Sequence, residues 1–113
     1  MTKLDVQNFE DDEIVFKEGD RDSHMYFLKS GKLRVSKWID GKEVHLGFVE
    51  KGEMVGEISY FDKKPRSASV FTVGQCELAI IPSDKFQKLF DELPSWSQAL
   101  TKSLVKRVRS NNS

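Results

Sequence analysis

The sequence predicts a mainly β protein, a sandwich or barrel of short strands followed by helices, and three observations carry that prediction. From Glu13 to Pro82, short apolar runs are broken by turn signals every eight to twelve residues, the rhythm of sandwiches and barrels. Asp40-Gly41 sits between Trp38-Ile39 and Lys42-Glu43, a strong hairpin signal because a type I′ turn needs positive φ at both central residues. Beyond Pro82-Ser83-Asp84 the period changes, and Phe86, Leu89, Phe90 and Leu93 recur at helical spacing.

Each element follows in order. Ile14 to Phe16 is a short strand ended by the turn Glu18-Gly19-Asp20, and Met25 to Leu28 is a second, closed by Ser30-Gly31. Leu33, Val35 and Ile39 alternate with Arg34, Ser36 and Trp38, so one face is buried. The return strand places Val44, Leu46 and Phe48 on one face and His45, Gly47 and Val49 on the other, with His45 toward solvent. Lys51-Gly52-Glu53 turns it. Ala68 to Val73 and Cys76 to Ile81 are expected to pair around Val73-Gly74-Gln75. Ser83 is the expected N-cap of the first helix, which Pro94 should end or bend at Leu93. Ser95-Trp96-Ser97-Gln98 has the form of a capping box opening a second helix. That helix carries Trp96, Leu100, Leu104 and Val108 at four-residue intervals, with Ala99 and Val105 beside them. This stripe either packs on the sheet or stays partly exposed and closes on a ligand or another subunit. The tail Ser110 to Ser113 is expected to fray.

A chain of 113 residues is expected to form one domain, with the β unit at about 13–81 and a helical lid at about 83–110. Eighteen basic and eighteen acidic residues cancel, so no global field draws nucleic acid or an anionic membrane. The front is acidic (Asp5, Glu10 to Glu13, Glu18, Asp20, Asp22) and the tail basic (Lys102, Lys106, Arg107, Arg109). No apolar run is long enough to span a bilayer, the start has no signal-peptide core, and the single cysteine, Cys76, suits a reducing compartment. A cytoplasmic location is the expectation.

One stretch, Val55 to Val70, carries the chemistry. Gly56 admits close backbone approach, and Ile58 and Phe61 have the spacing of one helical turn packed on a core. The first amides of such a turn lack helical partners and form an anion site. Pro65 stiffens the return that delivers Arg66, a planar two-pronged donor for the same anion. Glu57 would repel an anion unless it accepts a hydrogen bond, and a sugar hydroxyl on the same ligand is the natural donor. The segment therefore proposes a negatively charged small molecule bearing hydroxyl groups.

The run Gly56-Glu57-Ile58-Ser59, followed by Pro65-Arg66-Ser67-Ala68-Ser69, resembles the phosphate-binding cassette of the cyclic-nucleotide-binding domain family. That family includes regulatory subunits of cAMP-dependent protein kinase, the bacterial catabolite activator protein and cyclic-nucleotide-gated channels. Ile14 to Asp20 and Met25 to Gly31 resemble its first glycine-marked hairpin. The resemblance implies an antiparallel jelly-roll β-barrel with C-terminal helices. It also implies a ligand, cAMP or cGMP, held by Gly56, Glu57, Ile58, Ser59, Arg66, Ser67 and Ala68. Glu57 would accept the ribose 2′-hydroxyl, while Arg66 and the amides of Ile58 and Ser59 hold the phosphate. Ser67 bears on base choice, with cAMP favoured, and Leu100, Thr101 and Leu104 are candidates for capping the base. Asp22 departs from the small residue that many relatives carry in the first hairpin turn, and is expected to lie outside the cassette. Output would come from movement of the last helix about Leu93-Pro94.

Catalysis finds no support in the residues. His24 and His45 are too few for a cupin-like metal cluster, Cys76 has no catalytic context, and Ser59, Ser67 and Ser69 have no histidine spaced for a triad. Neither a catalytic nor a metal-binding residue is expected. A ligand-free module of the same fold, used for dimerisation or scaffolding, is the alternative, with a metal-dependent jelly-roll enzyme behind it. Because the last helix runs close to Ser113, a following DNA-binding unit has no room, and DNA binding by this chain alone is not expected. An output domain on another chain, or a homodimer through the last helix, is the expected partner.

Overall fold

The computed structural model describes residues 4–112. Within them six strands form one antiparallel sheet: β1 (Asp5–Phe9), β2 (Ile14–Phe16), β3 (Met25–Ile39), β4 (Lys42–Val49), β5 (Met54–Val55) and β6 (Ser69–Ile81). A short helix, α1 (Glu57–Asp62), lies between β5 and β6, and α2 (Ser83–Asp91) and α3 (Ser95–Asn112) follow the sheet. The expected class, mainly antiparallel β with C-terminal helices, is the one observed.

Two long strands form the spine, β3 and β6, paired from Met25 with Ile81 to Ser36 with Ser69. The sequence reading divided each of them in two at a glycine. Gly31 (φ 97°) and Gly74 (φ 74°) instead bend continuous strands. At Gly31 the reason is close approach: a Cβ there would stand 2.6 Å from both the Cys76 Sγ and the Gln75 carbonyl oxygen. Gly74 has open space around it and supplies only the positive φ. At Gly31 glycine lets one backbone cross another, and neither glycine reverses the chain. Asp40 (φ 53°) and Gly41 (φ 77°) do reverse it, bringing Lys42 opposite Ile39.

A bulge decides which face of β4 is buried. Val35 pairs with Gly47 but Ser36 pairs with His45, so Leu46 is the extra residue and the side-chain alternation slips by one. Val49, expected on the face with His45, enters the core, while Leu46 and Phe48 are about half exposed (53% and 50%). Ser36 is buried and Ile39 exposed, again the reverse of the simple alternation. The core consists of Phe16, Leu28, Leu33, Val49, Val55, Val70, Cys76 and Leu78. The sheet also begins earlier than Glu13, because β1 pairs with β6 from Asp5–Ile80 to Phe9–Cys76.

The helices gather around aromatic rings. Tyr60 and Phe61 of α1 meet Phe86 of α2 edge-on, with centroids 5.1 and 5.7 Å apart. α3 docks here through its C-terminal half, where Val105 is buried and Arg109 makes a two-pronged bond to Asp62, Nε–Oδ2 2.5 Å and Nη2–Oδ1 3.1 Å. The apolar stripe faces outward: Trp96, Leu100, Leu104 and Val108 are all exposed. The expected capping box does not form. The Gln98 amide nitrogen donates to the Leu93 carbonyl (2.9 Å) and its backbone to that of Pro94 (3.1 Å), tying α3 to the end of α2. α3 stays helical to Asn112, past the point where fraying was expected, and Ser113 lies outside the described residues.

Candidate functional site

The site is assembled by turns that converge from three parts of the chain. The Glu18-Gly19-Asp20 turn fixes the Arg66 backbone: the Gly19 amide donates to the Arg66 carbonyl and the Arg66 amide to that of Asp20, both at 2.8 Å. β5 pairs Val55 with Tyr26 and so sets the start of the cassette against β3. Gly56 then takes φ 91° and N-caps α1 without a side-chain cap, leaving the first amides of the turn without that partner.

All seven residues expected at the site (Gly56, Glu57, Ile58, Ser59, Arg66, Ser67 and Ala68) border one cavity of about 210 Å³. Phe16, Val35, Val49, Val55 and Val70 supply its apolar wall. A wider depression of about 490 Å³ shares Val35, Ser67 and Ala68 and continues past Ile39, Leu46 and Phe48. None of the capping candidates, Leu100, Thr101 and Leu104, borders either space.

Arg66 is the structural centre. Its side chain is 1% exposed, and its guanidinium stacks 4.1 Å over the Phe16 ring. Nη1 donates to the Gly56 carbonyl (2.7 Å) and Nη2 to that of His24 (2.6 Å). Nη2 also pairs with the Asp22 carboxylate. Asp22 was expected outside the cassette; it lies 44 residues from Arg66 in sequence and against it in space. No local pattern signals such a pair, although an unusual acid beside the first turn was its only trace. Nε is the one buried side-chain nitrogen or oxygen without a hydrogen-bond partner among the described residues, which is uncommon enough to require a reason.

The room at Gly56 serves this arginine. A Cβ there would stand 3.0 Å from Arg66 Nη1 and from the His24 carbonyl oxygen, so a side chain would press on the clamp as well as strain the backbone. Glu57 is partly buried, and burial raises its carboxyl above the ordinary range, opposed by a bond from its own amide and by the Arg66 charge. It borders the cavity beside the cation without a direct ion pair to it.

The remaining candidates are scattered. The His45 ring packs on Phe48, centroids 4.5 Å apart, and the His24 amide binds Asp22 Oδ1 at 3.2 Å. Among the described residues no three histidine, cysteine, aspartate or glutamate side chains gather to hold a metal. Cys76 is buried, its thiol directed at the Lys32 carbonyl (3.2 Å).

Comparison with known proteins matches residues 6–92 to the family model described as the cyclic nucleotide-binding domain. The chain belongs to that family. This cyclic nucleotide-binding domain is 29% identical over 111 residues to a CRP-like cAMP-activated global transcriptional regulator of Mycobacterium tuberculosis, covering 97% of this chain and 50% of the relative. It is 32% identical over 96 residues to the cyclic AMP receptor protein of Thermus thermophilus, covering 84% of this chain and 44% of the relative. The domain therefore spans about half the length of these relatives. Among solved structures, an EAL enzyme in its cGMP-bound form superposes with a TM-score of 0.88 at 28% identity, over 95% of this chain and 29% of that one. Its cAMP-bound form gives 0.86 at 29% identity, over 96% and 29%.

Proposed function

We propose that this domain binds a cyclic nucleotide, cAMP in preference to cGMP, as a cytoplasmic regulatory sensor without catalysis of its own. The observation that carries the reading is Arg66, which borders a cavity with the first turn of α1 and whose buried Nε has no acceptor among the described residues. A cyclic phosphate supplies that acceptor, and an anion there also meets the unpaired amides of Ile58 and Ser59. The raised Glu57 carboxyl suits a neighbour that is a hydroxyl donor. The base would extend past Ser67 into the wider depression along β3 and β4. No described helix is long and apolar enough to cross a membrane, which accords with a role in the cytoplasm.

Signalling would proceed by population shift. α1 borders the cavity through Glu57 to Ser59 and holds α3 through Asp62. A ligand that draws in the first turn of α1 therefore acts on the helix that carries the exposed stripe. Chain 1–113 works on this reading as one unit, with output through α3 to another subunit or another domain.

Thermal-shift screening with cAMP, cGMP and the linear monophosphates tests this, since a ligand specific for the native state raises its melting temperature. cAMP should give the largest shift and linear AMP little. A second reading, a ligand-free dimerisation module, draws on two observations: Asp22 already neutralises Arg66, and Trp96, Leu100 and Leu104 are exposed. No shift with any nucleotide, together with a dimer broken by Leu100→Ser, selects it.

A further inference from the structure

Besides the cavity above, α1 helps to border a smaller hollow of about 130 Å³, lined by Arg21, Ser23, Ser59, Lys63, Lys64 and Pro65. We infer that this hollow is a separate site for a small tetrahedral oxyanion of the phosphate or sulfate class.

Three independent features agree. The first is size. At about 130 Å³ the hollow is smaller than the cassette cavity of about 210 Å³, a size that suits a single oxyanion.

The second is charge. The lining contains three cations and two hydroxyls but no acid. The acids nearest in sequence are engaged elsewhere. Asp20 accepts the Lys17 amide (3.0 Å), Asp22 pairs with Arg66, and Asp62 holds Arg109 while accepting the Lys64 amide (3.0 Å). Arg21 and Lys64 thus have no ion pair among the described residues.

The third is an available hydroxyl. Ser59 borders the hollow, and its hydroxyl oxygen is not among the buried unpaired atoms, so it keeps access to the space beside it. Its carbonyl accepts the Lys63 amide at 3.1 Å. Lys63 is held in the left-handed region (φ 59°) with its ammonium 4.3 Å over the Tyr60 ring, so one cation of the site is already placed. Ser59 borders both spaces, so an ion in the small hollow shares a wall with the candidate nucleotide site.

The test uses the whole chain, isotope-labelled and titrated with sodium phosphate or sodium sulfate against sodium chloride at equal ionic strength. Phosphate and sulfate should give saturable amide shifts at Arg21, Ser23, Ser59, Lys63 and Lys64. The double variant R21A/K64A, both positions being exposed, should keep its melting temperature and weaken phosphate binding by about tenfold through lost charge-assisted bonds. Chloride shifts equal to those of phosphate would overturn the proposal. So would saturable shifts confined to 56–58 and 66–68, or an R21A/K64A chain that binds phosphate as tightly as the parent. Any of those results leaves the nucleotide reading intact, because cAMP binding is measured separately at Arg66.

Discussion

Two arginines, Arg66 and Arg109, each meet an aspartate, and the contrast between their surroundings separates the candidate ligand site from the last helix. Arg66 is enclosed by three segments, two carbonyls, a carboxylate and an aromatic ring. Arg109 has one partner, Asp62, and both side chains keep about 15% exposure. Around Arg66 the backbone is fixed by turns from the sheet; around Arg109 the helix has Val105 buried beside it and an exposed stripe on its other flank. An over-determined arginine shapes a pocket, whereas Arg109 ties α3 to α1 through a single ion pair.

The sharpest way to break this contrast is Arg66→Ala. Removing a charged donor should weaken cAMP binding by at least about tenfold, from ~1.5–3 kcal/mol for a hydrogen bond to a charged group. Unchanged affinity by calorimetry would take Arg66 out of the site. Next is Glu57→Gln, which should narrow the preference for cAMP over its 2′-deoxy analogue by about fivefold, seen in competition binding.

Glu57 also gives a pH signature. Its carboxyl is raised by burial, so it protonates at a higher pH than an ordinary glutamate. On the proposed reading its ionised form is the acceptor, and nucleotide affinity should therefore decline on acidification before unperturbed carboxylates titrate. For stability the sign is opposite: a raised native value favours the fold at low pH and is lost as pH rises through that value. Glu57→Gln should accordingly flatten the binding profile and raise the melting temperature slightly at neutral pH. A parent profile flat down to the ordinary carboxylate range would remove Glu57 from this role.

Asp22→Ala sharpens the comparison from the other side. The carboxylate competes with an incoming anion for Arg66, so its removal should tighten cAMP binding by about threefold to fivefold at moderate salt. A loss of affinity would mean that Asp22 instead positions the guanidinium for its ligand. The smallest effect belongs to Arg109→Gln. Cutting the tether should accelerate hydrogen exchange across 96–109 in the ligand-free chain while changing cAMP affinity by no more than about threefold, about 0.6 kcal/mol, the scale of a partly exposed pair. Exchange identical to the parent would show that the Arg109–Asp62 pair does not hold α3.

How much was legible in the sequence depended on how local the cause was. Asp40-Gly41, the Gly19 and Gly52 turns and the helical turn after Gly56 follow from backbone preferences over a few residues, and each stands where the residues placed it. The gathering of the seven cassette residues on one cavity was likewise readable, because they come from two short neighbouring segments. The burial of Val49 over Phe48 was not: a single bulge at Val35/Ser36 exchanges the faces of a two-residue repeat.

The sequence by itself determined the kind of chemistry: a close-approach glycine, a carboxylate, a short turn and an arginine, held in an antiparallel β frame. Only the tertiary structure decided what the arginine meets and what α3 leaves exposed. Asp22 reaches Arg66 across 44 residues and Asp62 reaches Arg109 across 47. Pairings at that separation are set by how β3, β6 and α1 pack, and no local propensity records them.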